Sequence, residues 1–443
     1  MTSHSVPSPL SPLPSPLSSD VIAELSWRGL INQTTDDANL PKLLAEKPRT
    51  VYAGFDPTAD SLHVGHLMAL MILRRFQRAG HRPIAVVGGA TGMIGDPSGK
   101  SEERNLLSIE SLRANIAGME PQLRRFLDFD CGSQSAILVN NYDWMGQFGY
   151  LEFLRDVGKH FPINVMLAKD SVRNRLDRSE AGMSYTEFSY MLLQAYDFVH
   201  LHEQFGCEVQ VGGSDQWGNI TAGIDLARRL RGVQLYGCTC PLLTKSDGTK
   251  MGKSESGALW LSPYKTQPPK FFNYWINLDD ADVGRCLRFF TDLRKEEIDT
   301  LMAEHQRDPE QRIAQRKLAR ELTDLVHGKS VRETLEKGAG VIYAAGKVSI
   351  ELFGEAVCEV VRPKELPRNR LNGNGLSVID ALVESGLCKT KSEARRIIMQ
   401  GGCYLNKTRV EDIGRQLTAA DLLDNSVVVL QVGKKHHVPL RFV

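Results

Sequence analysis

The sequence predicts an α/β protein built on a parallel sheet, followed by a helical segment and a small α+β module. Three observations predict it. From about residue 50 to residue 230 short apolar runs alternate with helical patterns, a glycine closes the helix between the first two strands, and a glycine-rich loop follows the second strand. Strand, helix, strand is a βαβ unit. Its repetition gives a parallel sheet covered on both faces, with ligands bound beyond the carboxyl ends of the strands.

The elements follow in order. Thr50 to Phe55 reads as the first strand, Val64 to Ala79 as a helix closed by Gly80, and Pro83 to Val87 as the second strand, which runs into Gly88-Gly-Ala-Thr-Gly-Met-Ile-Gly-Asp96. Helical patterns near 108–128 and 144–160 flank a strand at Ala136 to Asn140. A helix from Thr186 to His202, a strand from Glu208 to Val211 and a helix from Gln216 to Leu230 complete the sheet region. Pro263 and Gln267-Pro-Pro-Lys270 mark a boundary, after which residues 270–360 read as mostly helical. Pro363, Pro367 and the run from Asn369 to Gly375 form a second linker, and residues 376–443 give two short helices with β-rich segments such as Ser426 to Val432. The expected division is a disordered Ser/Pro-rich tail at 1–19, a sheet domain at 20–265, a helical domain at 266–362 and a small module at 373–443.

Composition narrows the function. Of 443 residues 42% are hydrophobic and 24% charged, which excludes a chain that is disordered, collagen-like or coiled-coil throughout. Lys and Arg total 54 against 53 Asp and Glu, so histone-like binding by net charge is excluded while a local basic patch is not. The longest obvious apolar run, Leu67 to Leu73, stops at Arg74-Arg75, far short of the ~18 residues that cross a bilayer, so no membrane contact is expected. The eight cysteines are scattered without a C-x-x-C pair, and reduced thiols in a cytoplasmic protein with no protein-ligated metal are expected. The tail has no basic start and the first arginine is Arg28, so no targeting signal is expected.

Two motifs point to phosphate chemistry. His63-Val-Gly-His66 stands where the first crossover helix begins, where unpaired N–H groups and the positive end of the helix dipole favour an anion. Gly65 would let a ligand approach the backbone, and the imidazoles can donate to phosphate oxygens; alone, the four residues read equally as a structural pair. Lys250-Met-Gly-Lys-Ser254 lies in a stretch too polar and glycine-rich for a packed element. Lys250 and Lys253 there can close on a departing pyrophosphate, or be solvated charges.

Together the motifs resemble the His-Ile-Gly-His and Lys-Met-Ser-Lys-Ser signatures of class I aminoacyl-tRNA synthetases, with Val64 for Ile and Gly252 for Ser. The segments from Tyr52 to His63, Ser184 to Asp197 and Gly212 to Asn219 resemble bacterial-type tyrosyl-tRNA synthetases, and the likeness runs from about residue 20 to the C-terminus. It implies a Rossmann-like catalytic domain, a helical domain for the anticodon region of tRNA(Tyr), and an S4-like RNA-binding domain. It also implies ATP and L-tyrosine as substrates, Mg²⁺ accompanying ATP, and a homodimer.

Carried over residue by residue, the resemblance implies that His63, His66, Lys250, Lys253 and Ser254 are catalytic. Tyr52 and Asp197 would bond the phenolic hydroxyl of tyrosine, while Tyr190 and Gln194 hold its ammonium end, with Asp96 nearby. From residue spacing alone Tyr190, Gln194 and Asp197 form one helical stripe that reads as a solvent face. Gly54, Asp56, Thr58, Gly65, Gly213, Asp215 and Gln216, with Lys253, would meet ATP; Asp56 and Asp96 read equally well as turn and capping residues. Lys100 and Arg104 match a loop that meets pyrophosphate. In the last module Thr390-Lys-Ser-Glu393 reads as a capping box opening a helix that displays Arg395 and Arg396, with Lys389, Lys391 and Lys407 near, a basic face for an RNA backbone. A tryptophanyl relative and an RNA-binding scaffold without chemistry are the alternatives.

Overall fold

The computed structural model describes residues 20–98, 107–169, 172–173, 176, 182–254, 257–337, 339–344, 347–352, 364–372, 375–406, 408–422, 427–433 and 436–443. The expected tail at 1–19 lies outside them. Contacts divide the chain into one unit of residues 1–262 with 279–314 and a second of 263–278 with 315–443.

The first unit is organised by a six-stranded sheet of β1 (Gln33–Thr34), β2 (Thr50–Phe55), β3 (Arg82–Val87), β4 (Ile137–Asn140), β5 (Cys207–Gly213) and β6 (Tyr236–Cys240), in the order β1-β6-β5-β2-β3-β4. All neighbours are parallel except β1, which pairs antiparallel with β6 at the edge. From β2 the chain winds one way to β3 and β4; it then returns to β5 on the other side of β2 and continues to β6. The reversal opens a crevice at the carboxyl ends of β2 and β5.

Helices α1 (Val21–Arg28), α2 (Leu67–Arg78), α3 (Tyr185–Phe205), α4 (Trp217–Arg231) and α5 (Asp280–Phe290) belong to this unit. Ser184 caps α3 by accepting from the Glu187 N–H at 3.1 Å, and Gly206, with φ of 61°, ends it in the left-handed conformation that glycine adopts without strain. The α3 side chains Met191, Leu192, Ala195, Phe198 and Val199 are buried in the core that also holds Tyr52, Ile84 and Val86 of the sheet.

The pattern near 144–160 is not one helix but the pieces Tyr142–Met145, Tyr150–Asp156 and a 3₁₀ turn Gly158–His160. Gly146 and Gly149 punctuate it, and glycine is a weak helix former. Arg74 and Arg75, which in the sequence only interrupt an apolar run, are both buried. Arg75 donates to the carbonyls of Phe289 and Thr291 at 3.0 Å and Arg28 to those of Arg288 and Leu293, which satisfies the C-terminal end of α5. Burial works against the charge of Asp292, yet Arg74, Arg78 and Arg75 around it hold its carboxyl at about 2. Residues 279–314 therefore belong to the sheet unit, although they lie beyond the linker read at 265/266.

The second unit contains helices Pro268–Ile276 and Lys329–Lys337, most of Ile313–Val326, and an antiparallel hairpin of Ala339–Ala344 with Lys347–Leu352. The hairpin falls where the sequence reads as mostly helical. Toward its end lies a five-stranded sheet with α6 (Val378–Glu384) and α7 (Lys391–Met399) around their own apolar core. Thr390 caps α7 through Glu393 N at 3.1 Å, and Glu393 reaches back to the Lys389 N–H at 2.7 Å.

Candidate active site

The crevice holds a cavity of about 530 Å³. It is lined by Tyr52, Gly54, Asp56, Thr58, His63, Gly65, His66, Asp96, Tyr190, Gln194, Asp197, Gly213, Asp215, Gln216 and Lys250, so strands β2 and β5, the loops that follow β2, β3, β5 and β6, and α3 bring these expected residues to one place. The solvent-face reading of the α3 stripe is overturned, because Tyr190 and Asp197 are 4% and 3% exposed. They face the sheet crevice, which spacing along one helix cannot show.

At the inner end Asp197 accepts from the Trp144 indole N–H at 2.8 Å and from the Asn141 amide at 3.0 Å. Burial raises its carboxyl to about 7 against the pull of these two donors. The hydroxyl of Tyr52 is buried and has no hydrogen-bond partner among the described residues. Burial first, and then the nearby Asp197 charge, push that phenol well above its ordinary range, so it stays a neutral donor.

Polar side chains line the next stretch. The Tyr190 hydroxyl donates to Asp56 Oδ2 at 3.0 Å, and Thr91 to Asp56 Oδ1 at 2.8 Å. Gln216 donates to Asp96 Oδ2 at 2.7 Å, while Asp96 Oδ1 accepts from Ser98 N at 2.8 Å. Gln194 donates to Gln216 at 3.2 Å. Gly88 is required here, since a Cβ would fall 2.2 Å from Asp56 Oδ1.

At the mouth the motif His63-Val-Gly-His66 forms a 3₁₀ turn, Val64–His66, that leads directly into α2. His66 Nδ1 accepts from His63 N–H and His63 Nδ1 from Gly65 N–H, each at 3.0 Å. Both rings therefore carry their proton on Nε2 when neutral, a donor aimed away from the turn. The rings stack at 4.0 Å, and a Cβ on Gly65 would come 2.8 Å from His63 Cε1. Gly252 of the lysine motif has a φ of +79°, and a Cβ there would stand 3.0 Å from Val64 Cβ, so the two motifs touch. Lys250 is exposed at the cavity rim, and Lys253–Ser254 pair as a short strand with Gly257–Ala258.

Lys100, Arg104 and Lys407 lie outside the described residues. On α7 and just before it Lys389, Arg395 and Arg396 are exposed, as is Lys391, which pairs with Asp380 at 2.7 Å.

A family described as tRNA synthetases class I (W and Y) matches residues 44–343, and one described as the tyrosine–tRNA ligase SYY-like C-terminal domain matches 359–440. The tyrosine–tRNA ligase of Rhodopirellula baltica is 54% identical over 423 residues, 95% of this chain and 96% of that protein. That of Geobacillus stearothermophilus is 49% identical over 96% of this chain and 100% of its own length. The chain belongs to the class I tyrosyl-tRNA synthetases, the tyrosine–tRNA ligases. The fold agrees: the crystal structure of a C-terminally truncated Aspergillus nidulans mitochondrial tyrosyl-tRNA synthetase, 34% identical, covers 70% of this chain and 91% of its own with a TM-score of 0.63.

Four residues that line this synthetase's cavity or hydrogen-bond to its lining carried no signal in the sequence. Asn141 and Trp144 follow β4, and nothing in their spacing ties them to Asp197, 56 and 53 positions away. Thr91 sits in the glycine-rich loop, where it reads as a turn residue. Asn219, 3% exposed, donates to Gln194 at 3.1 Å and to Gln216 at 3.2 Å, fixing the sense of both amides. Among the described residues no group of three or more His, Cys, Asp or Glu side chains is placed to hold a metal ion, and no helix is long and apolar enough to cross a membrane.

Proposed function

We propose that this cavity activates L-tyrosine with ATP and that the tyrosyl group then passes to the terminal ribose of tRNA(Tyr). The observation that carries the reading is the closeness of a buried carboxylate acceptor, Asp197, to a buried hydroxyl, Tyr52, that has no partner among the described residues, both lining the cavity. A phenol entering there can donate to Asp197 and accept from Tyr52, whereas a bare phenyl ring brings no partner for the Tyr52 hydroxyl and no further donor to a carboxylate held only by Asn141 and Trp144. Tyr190 and Gln194, with Asp96, hold the ammonium. Gly54, Asp56, Thr58, Gly65, Gly213, Asp215 and Gln216 receive ATP along the carboxyl ends of β2 and β5.

The tyrosine carboxylate is already ionised at neutral pH, so its attack on the α-phosphate needs no general base. Catalysis reduces to alignment and to neutralising charge as the bond to the β-phosphate breaks. His63 and His66 donate through Nε2 to the phosphates, and Lys250 and Lys253 neutralise the leaving pyrophosphate, a task to which the resemblance also assigns Ser254, Lys100 and Arg104. The donor set forms no carboxylate cage among the described residues, so Mg²⁺ fits as the counter-ion that ATP brings on its own phosphates.

The domain reading places catalysis in residues 20–265, anticodon-region contacts in 266–362 and RNA binding in 373–443 through Lys389, Lys391, Arg395, Arg396 and Lys407. A homodimer is supported by exposed large apolar side chains between Tyr150 and Tyr185, including Leu151 at 78% and Ile163 at 59% exposure. The seven described cysteines are free thiols, which suits a cytoplasmic compartment. Pyrophosphate exchange into ATP tests the central reading. Tyrosine supports exchange, and tryptophan and phenylalanine do not; exchange driven by tryptophan would overturn the assignment.

A further inference from the structure

The lysine motif rests on a buried anchor that none of the signature residues supplies. Asp282, in the first turn of α5, is 0% exposed. Its Oδ1 accepts from the Ser246 backbone N–H at 2.9 Å, and its Oδ2 from the Ser246 hydroxyl at 3.4 Å. Arg285 donates to Asp282 Oδ1 at 2.9 Å and also to the Thr244 carbonyl. Cys286 places its thiol 3.6 Å from the Met251 sulfur, and both are buried. Positions 282, 285 and 286 share one face of α5. That face holds Thr244 and Ser246 on the incoming arm of the loop and Met251 on the outgoing arm, and the arms are joined by a bridge between Thr244 and Lys250.

The other end of α5 is tied to the histidine helix. Arg75 of α2 donates to the Phe289 and Thr291 carbonyls, and Arg74 and Arg78 of α2 pair with Asp292 at 2.8 Å. Since α2 starts immediately after His66, one strut runs from the histidine motif through α5 to the base of the lysine motif.

We propose that Asp282 is a positioning residue for tyrosine activation, fixing the base of the loop so that Lys250 and Lys253 reach the pyrophosphate as it leaves. This rests on the role given above to those lysines. Lys250 lies next to Met251 and Lys253 two residues beyond it, so loosening the anchor misplaces both ammonium groups, and a misplacement of about 1 Å far from the chemistry is enough to slow a reaction ~10²-fold.

The test is the single-turnover rate of tyrosyl-adenylate formation, normalised to titrated active sites, in Asp282→Ala, Asp282→Asn, Arg285→Met, Lys253→Ala and the Asp282→Ala/Lys253→Ala double variant. Asp282→Ala lowers the rate per site about tenfold or more, with ATP and tyrosine dissociation constants nearly unchanged. Asp282→Asn keeps an acceptor for Ser246 and loses less. Trypsin cuts after Lys245 and Lys250 faster in Asp282→Ala than in the parent. Arg285, about one-third exposed at 32%, can lose its side chain without opening the core, so its variant decides the matter if Asp282→Ala does not fold. In the double variant the two losses fall short of additive, because part of the Asp282→Ala loss acts through the Lys253 ammonium that the second substitution removes. Parental rates in the Asp282 and Arg285 variants beside a slow Lys253→Ala, or full additivity, overturn the positioning role alone. A parental rate in Lys253→Ala overturns the reading of the lysines on which it rests.

Discussion

Trp144 donates its indole N–H to Asp197 Oδ1 at 2.8 Å, and with Asn141 it holds a buried carboxylate on the wall of the cavity. Two donors are not enough to offset burial, which holds the carboxyl up at about 7. The ionised form is the acceptor a phenol needs, so tyrosine binds the deprotonated enzyme and its binding is linked to loss of that proton.

The sign of the pH dependence follows. Above about 7 the carboxylate is already ionised and tyrosine affinity is level; below it the dissociation constant rises toward about tenfold per pH unit. The phenol and ammonium of free tyrosine do not titrate between pH 5 and 8, so the slope belongs to the protein. Equilibrium binding of tyrosine from pH 5 to 8 checks it. Asp197→Asn binds more weakly and with no slope, and an unchanged slope in that variant would assign the titration to another group.

Tyr52→Phe removes a buried hydroxyl that has no partner among the described residues. The folded state loses nothing it was using, so the melting temperature stays level or rises. Tyrosine loses one hydrogen bond of about 0.5–1.5 kcal/mol, while phenylalanine no longer strands the group. The ratio of pyrophosphate-exchange rates for the two amino acids therefore narrows. A parental ratio would place the phenol elsewhere.

How much of this was legible in the sequence differs between the two ends of the cavity. Histidines three apart at a helix start, and lysines in a glycine-rich loop, announce phosphate chemistry because the reacting groups are close in sequence and the backbone geometry is local. The phenol end is not local. Asp197 meets Asn141 and Trp144 only because β4 lies two strands from β2, and the helical spacing of Tyr190, Gln194 and Asp197 reads the same on a wet face as on a dry one. Arg74 and Arg75 went unread for a related reason: arginine in an apolar helix signals an end to burial unless the carbonyls it serves, here those of the α5 C-terminus, are known.

His66→Ala is expected to slow adenylate formation by roughly 10²-fold, since removing one preorganised donor to a developing charge costs about 3 kcal/mol. Tyrosine affinity is expected to be unaffected because the residues proposed to meet its phenol and ammonium do not include His66. His66 Nδ1 also accepts the His63 N–H, so His66→Gln, which can offer that backbone group an acceptor, retains more activity than His66→Ala. Stopped-flow rates with a separate tyrosine titration read both effects. An unaltered rate in a folded His66→Ala protein removes the motif from the chemistry.

Ending the chain after about residue 370 separates the two steps. Every residue proposed to meet tyrosine or ATP lies at or before Ser254, and Asp282, proposed to position the lysine loop, is in the same sheet unit, whereas Lys389, Arg395 and Arg396 are exposed on and beside α7, within a module that has its own buried core. Phosphate contacts by such side chains release counterions and give an affinity that falls steeply with salt. The shortened protein is therefore expected to keep pyrophosphate exchange near the parental rate and to lose tRNA charging, while the full chain loses charging progressively as salt rises. Both activities are measured on one preparation. Full charging without the module would take the RNA contact away from α7, and loss of both activities would show that the sheet unit needs the residues removed in order to fold.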